Sequence, residues 1–398
     1  MQLCDLPLDV FKVIVTSTVQ ELGLYDSMNV RFTCRLLASE ILDAIITTRV
    51  VEDIMKSTGR KMRVLVQPDV IGRYLHHRFS TDGPNPHPWI SRIRATTQTL
   101  TQKTNSKNHL ARIEHFERSA CDCLALNRGS KVYEILNGGR DERPMEDGGT
   151  AADCLAIAAW IGDLNLVRSL HNDSDKLSLF GRPSWAAAAH GHVEVLLYLL
   201  NKGALPYEPH DQDRNLHDVW MSALSTAAYL GRDNIVSTYL QLAYYRLETE
   251  ADRMFRPILA AVQGNQTSTL RTLLDRYKAH APPQEYLRTI DFALVQACKR
   301  GLADSGGVLL EYGADVHETD GSARTCLQLA AMYGSIPLVK MLLDAGAIDE
   351  ANNKVRRRAF GTSEPGLYQK GALHIAKRKG FTTIVELLEK KKVERAIA

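Results

Sequence analysis

The chain lacks an apolar run long enough to cross a bilayer, so no spanning helix is expected. Its first twenty residues carry Asp5 and Asp9 and no basic stretch, which argues against a secretory leader. Cysteine is sparse: seven in 398 residues, at positions 4, 34, 121, 123, 154, 298 and 326. Only Cys121 and Cys123 lie close together, and that spacing fits neither a zinc knuckle nor a redox pair. All seven are expected as reduced thiols of a cytoplasmic or nuclear protein, which leaves the sequons at Asn172 and Asn265 unused. His76, His77 and His87 have no Cys or carboxylate at ligand spacing, so no metal is expected. The phosphate-loop, dinucleotide-fold, zinc-protease and nucleophile-elbow motifs are all missing, so neither an enzymatic activity nor a cofactor is expected.

What is present is an ordinary globular composition, 44% hydrophobic, with a lopsided charge. Residues 351–398 hold 12 Lys and Arg against 4 Asp and Glu, while the net charge of the whole chain is only +3.

The strongest internal signal is a repeat. The pattern Ala-Ala-x-x-Gly, or a close variant, recurs as AAWIG (158–162), AAHGH (188–192), AAYLG (227–231), AAVQG (260–264), ACKRG (297–301), AAMYG (330–334) and AKRKG (376–380), with a weaker match at Gly129. The glycines at 129, 162, 191, 231, 264, 301, 334 and 380 are spaced by 33, 29, 40, 33, 37, 33 and 46 residues. The best-formed copy is 322–347. There Leu327, Ala330 and Ala331 share one helical face, and Leu338, Val339, Leu342 and Leu343 share another. Gly334 divides the two helices and Gly346 suits a left-handed cap. Neither helix is long enough to be stable alone, so each unit must lean on its neighbours.

A period of about 33 residues with two helices per unit is that of the ankyrin repeat family, which residues 117–395 resemble. The family's opening tetrapeptide survives in pieces, as Thr325-Cys326-Leu327-Gln328 and Gly371-Ala372-Leu373-His374. The resemblance implies an all-α solenoid of about eight degenerate helix-turn-helix units. It also implies long fingers at Gly138–Gly149, Leu205–Asp218 (with Tyr207, His210 and His217) and Asp349–Lys370.

Ahead of the array, Leu6-Pro7 and Asp9 precede Phe11, Ile14, Val15 and Val19 at helical spacing. A break is expected at Leu22-Gly23-Leu24, followed by a second helical pattern through Cys34-Arg35 to Ile41. This stretch is similar to an F-box, which implies docking of a Skp-type adaptor of a cullin ubiquitin ligase through Leu6, Pro7, Phe11, Ile14 and Val15. It departs from that pattern in a longer break and in Leu37 standing where an aromatic is usual. The same residues also read as a helical cap on the solenoid. Three segments are thus expected: 1–50, F-box-like; 51–116, a helical and loop connector; 117–395, the repeats. Within the connector, 70–79 reads as an amphipathic helix, 81–89 as a loop, and 91–108 as a polar surface helix or mobile link.

In an ankyrin stack the two residues before each turn glycine point from the inner helix into a concave groove. Here these include Trp160, Ile161, His190, Tyr229, Leu230, Val262, Lys299, Arg300, Met332, Tyr333 and Arg378. Aromatic, Met and Arg side chains are the types enriched at protein interfaces. The expected function is a non-enzymatic protein–protein interaction scaffold, as a substrate adaptor of a cullin-type ligase. The alternative is a nuclear transcriptional coregulator, with Lys354, Arg356, Arg357 and Arg358 as an import patch. That run also reads as a solvated loop tip; nucleic acid is not an expected partner, since only Phe360 and Tyr368 are near for stacking. A monomer, with no membrane association, is expected.

Overall fold

The computed structural model describes residues 7–30, 35–48, 67–84, 86–104, 109–129, 131–136, 138, 149–171, 178–204, 222–242, 250–349 and 371–397. The described residues contain helices and two isolated bridges, Ser178 with Gly181 and Thr319 with Thr325, but no strand. The chain is all-α. It divides into two compact units, residues 1–187 with 194–205, and residues 188–193 with 206–398.

The first unit opens with α1 (Leu8–Val30), which packs along α2 (Arg35–Thr47). The apolar spacing of Phe11, Val15 and Val19 does make a buried helical face. The expected break does not occur: α1 runs unbroken through Leu22, Gly23 and Leu24. One helical Gly costs only about 1 kcal/mol, and a long helix already held on one face tolerates it. Next come α3 (Pro68–Thr81), α4 (Pro88–Thr104) and α5 (His109–Arg128). The α4 segment had looked polar enough for a surface position, yet Trp89, Ile90, Ile93, Thr96, Thr97 and Leu100 are buried at helical spacing. It packs against α3, α5 and α7 (Gly149–Ile161). Of its buried threonines, Thr97 donates its hydroxyl to the Arg94 carbonyl at 3.0 Å. The first repeat, expected from 117, begins inside α5. Helices α6 (Lys131–Leu136) and α8 (Leu164–Leu170) follow their partners α5 and α7 across Gly129 and Gly162.

Helices α9 (Pro183–His190) and α10 (Val193–Asn201) flank Gly191. Beyond them, in the second unit, the helices alternate in two layers. The inner layer is α11 (Ala223–Tyr229), α13 (Glu250–Gln263), α15 (Pro283–Arg300), α17 (Cys326–Tyr333) and α19 (Ala372–Lys379). The outer is α12 (Asp233–Gln241), α14 (Thr267–His280), α16 (Ala303–Glu311), α18 (Ile336–Asp344) and α20 (Thr382–Ile397). Each helix touches its hairpin mate and the same-layer helices of adjoining pairs. That is solenoid packing. An eight-residue helix such as α17 could not persist in water alone. It persists because Leu327, Leu329, Ala330 and Ala331 are all but fully buried, each leucine contributing about 2 kcal/mol.

All eight turn glycines lie between paired helices, and seven have a left-handed backbone; Gly264 does not. There Asn265 adopts φ 54° instead. A Cβ on Gly264 would sit 1.9 Å from the Tyr229 carbonyl oxygen, so this glycine serves close approach rather than chirality. The 37-residue step up to Gly301 is absorbed by longer helices, not a finger, as α14 and α15 extend to meet through a Tyr277–Tyr286 ring contact of 5.9 Å.

Candidate protein-binding surface

Side chains reach the inner face of the second unit because the core uses only part of each inner helix. In α17, Cys326 to Ala331 are all buried, whereas Met332 is half-buried and Tyr333 exposed. The N-terminus of this helix is fixed by reciprocal bonds: Thr325 Oγ1 accepts the Gln328 N–H at 3.2 Å, and Gln328 Oε1 accepts the Thr325 N–H at 2.8 Å. In α19, whose cap is Gly371, the Asp349 carboxylate accepts the N–H groups of Ala372 and Leu373 from outside the helix.

The two positions before the turn glycine are not equivalent. The residue immediately before it is half-buried or exposed in seven units: Ile161, His190, Leu230, Gln263, Arg300, Tyr333 and Lys379. One residue earlier the pattern is mixed. Tyr229, Lys299 and Met332 are half-buried and Arg378 is exposed, but Trp160, Ala189 and Val262 are core. Each residue turns a helix by about 100°, so the earlier position sits at the edge of the packed face. Trp160 is therefore a correction. It is 4% exposed and stacks on Trp185 with centroids 6.1 Å apart and planes at 27°, leaving it nothing to offer a partner. At Gly129 even the last position turns inward, where Arg128 lies over the Trp89 ring at 5.4 Å.

A recess of about 260 Å³ opens between α15 and the turn leading to α17, lined among others by Arg288, Asp291, Phe292, Lys299, Glu318 and Asp320. Its floor is charged and satisfied. The Asp320 side chain is 1% exposed and takes the Arg324 guanidinium at 2.9 and 2.6 Å, with Lys299 Nζ at 3.9 Å. Burial works to raise this carboxyl, but the Arg324 side chain and the N–H groups of Arg324 and Ser322 outweigh it, so it stays below its ordinary value. Phe292 meets Phe255 of α13 with centroids 5.5 Å apart. Arg288, Phe292 and Phe255 were missed in the sequence. Stepping back from Lys299 at helical spacing, through Gln296, reaches Phe292 and Arg288 on one face of α15.

On the first unit, the Phe11 and Val15 side chains are 1% and 4% exposed, so the docking role expected of them is corrected: they belong to the core under α1. Pro7 is exposed, and Ile14 is 37% exposed beside Leu8, Val10 and Val13 at 52%, 48% and 66%. Leu6, the basic residues Lys354, Arg356, Arg357 and Arg358, and Tyr207, His210 and His217 of the second finger lie outside the described residues.

Residues 258–395 match the family model for ankyrin repeats (3 copies). A curated relative, ankyrin repeat domain-containing protein SAT10 of Stachybotrys chartarum (strain CBS 109288 / IBT 7711), is 25% identical over 278 residues, which is 67% of this chain. The match spans only 14% of that longer protein. Among solved structures, the ankyrin repeat domain of Bcl-3 aligns with TM-score 0.42 and 21% identity over 61% of this chain and 100% of its own. The human ASB11 ankyrin repeat domain aligns with TM-score 0.41 and 22% identity, over 60% and 96%. Residues 258–395 are thus similar to ankyrin repeats.

Proposed function

We propose that the chain is a non-enzymatic interaction scaffold that holds a protein partner on the inner face of its second unit. Tyr333 carries the reading: it is 43% exposed, next to a run of buried α17 residues, so its ring does little for the core. Rings placed this way are typical interface anchors. In the full-length chain, Tyr333→Ala with Arg300→Ala should weaken a co-purified partner about tenfold while Tm barely moves. A Tm collapse with binding retained would make these side chains structural.

We further propose that the F-box-like N-terminus docks a Skp-type adaptor, making the chain a substrate adaptor of a cullin-type ligase. Support comes from the outward row Pro7, Leu8, Val10, Val13 and Ile14 rather than from the buried Phe11 and Val15. Val10→Glu with Val13→Glu should abolish adaptor co-purification, and an adaptor absent even from the wild type removes the reading. The alternative, a nuclear coregulator, is favoured by the exposed basic end of α19, Lys377, Arg378 and Lys379, close after the run at 354–358. Unchanged cellular distribution of a Lys354/Arg356/Arg357/Arg358→Ala chain would discard it.

A further inference from the structure

Resting on the reading of this face as a protein-binding surface, we infer that the segment it holds is acidic and studded with apolar side chains. The inner face carries exposed cations on two of its helices: Arg288 and Arg300 on α15, and Arg378 and Lys379 on α19. Between them lie Phe292, Met332 and Tyr333, all at least partly open. The acids of the same wall are already engaged with the protein's own groups. Asp320 is clasped by Arg324, Asp291 accepts the Asp315 N–H at 2.7 Å, and Glu318 accepts the Thr319 N–H at 3.0 Å. These bonds leave Asp291 and Glu318 charged, so the recess is of mixed sign, and it is the exposed Arg300, Arg378 and Lys379 beyond its lining that draw and orient a negatively charged partner.

Geometry sets the occupant's length. Neighbouring helices pack about 10 Å apart, so α15 and α19, with α17 between them, are separated by about 20 Å. An extended peptide crosses that distance in about six residues at roughly 3.3 Å each. Such a peptide can place a carboxylate against Arg300 and another near Arg378 while seating an apolar side chain between Met332 and Tyr333. It also carries its charges only at intervals, which suits a recess that contains Asp291 and Glu318 as well as Arg288 and Lys299. A nucleic acid carries a charge at every step and would set phosphates against those carboxylates, so the mixed recess favours the peptide.

The test pans random displayed peptides of about 16 residues, long enough to span the face, against the full chain. Selected sequences are then measured by fluorescence anisotropy at about 50 and about 300 mM NaCl, which shortens the reach of exposed charges. Three proteins are compared: wild type, Arg288→Glu/Arg300→Glu/Arg378→Glu, and Met332→Ala/Tyr333→Ala, with helical content and Tm checked for each. The expected result is enrichment of acidic peptides bearing apolar residues. Their affinity should fall at least about tenfold in the charge-reversed chain, drop with salt, and weaken in the Met332/Tyr333 variant. Peptides without acidic bias that still depend on Met332 and Tyr333 would overturn the charge assignment and leave the binding face standing. Peptides held equally by all three proteins would sink both. A uridine oligonucleotide of similar length binding more tightly than any selected peptide would replace the acidic segment with nucleic acid.

Discussion

His190 ends α9 with its ring 5.9 Å from that of His192. Partial desolvation of the ring, then the charges of His192 and Arg232, bring its pKa down from 6.5 to about 4. The unfolded chain takes up this proton near the ordinary value and the folded chain only well below it. Between those limits, falling pH therefore favours unfolding, and stability declines as the solution acidifies. His190→Gln should flatten that part of the profile, seen as a smaller loss of Tm between about pH 7 and about pH 5 than in the wild type. An unchanged slope would mean the ring protonates freely. A second contrast follows from the two positions before each turn glycine. Trp160→Ala removes a ring that is 4% exposed and stacked on Trp185, and should cost about 3–5 kcal/mol in urea unfolding. Ile161→Ala, one position later and half-buried, should cost less than about 1.5 kcal/mol.

At the scale of elements, Gly264 and Asn265 divide between them a task that one glycine performs in other units. Gly264→Ala would place its Cβ against the Tyr229 carbonyl, which belongs to backbone and cannot swing aside. A loss of about 2 kcal/mol or more is expected. Asn265→Gly would relieve a left-handed residue at φ 54° but forfeit three hydrogen bonds. Its Oδ1 accepts from Ser305 Oγ at 2.9 Å and from the Ser305 N–H at 3.2 Å, and its Nδ2 donates to Asp304 at 2.9 Å. Gly and Asn should therefore be close to balanced in denaturant titrations, within about 1 kcal/mol. The glycine spacing placed every hairpin correctly because it reports a local backbone need, yet it could not say which residue meets that need when a neighbouring carbonyl crowds the turn. Likewise Phe11, Val15 and Val19 announced a helix, whereas Gly23 wrongly announced its end. Periodicity records which face will be covered. What covers it depends on contacts far away in the chain, and so Phe11, Val15 and Trp160 passed for docking residues when their exposure had already been taken by α2 and Trp185.

At the scale of the molecule, the two units differ in how they are knit. In the first, α3, α4, α5 and α7 pack on one another across long stretches of sequence, and Arg92 reaches the Asp153 carboxylate, whose side chain is 0% exposed. The second is a ladder in which the main packing of each described pair is with its neighbours, so its stability is close to a sum of local pair and interface terms. Distinct cores of such different connectivity should not melt as a single transition. The chain itself supplies the probe. Trp89, Trp160 and Trp185 all lie in the first unit, at 2%, 4% and 3% exposure, and the fourth tryptophan, Trp220, is outside the described residues. In a Trp220→Phe chain, indole emission should follow the first unit alone, while far-ultraviolet circular dichroism follows the helices of both. Urea midpoints from the two signals should separate, and the dichroism curve should be the broader, because a ladder loses its end pairs first. Superimposable curves with a single midpoint would show that the units unfold together, and that the inner face is braced by helices far beyond the pairs that form it.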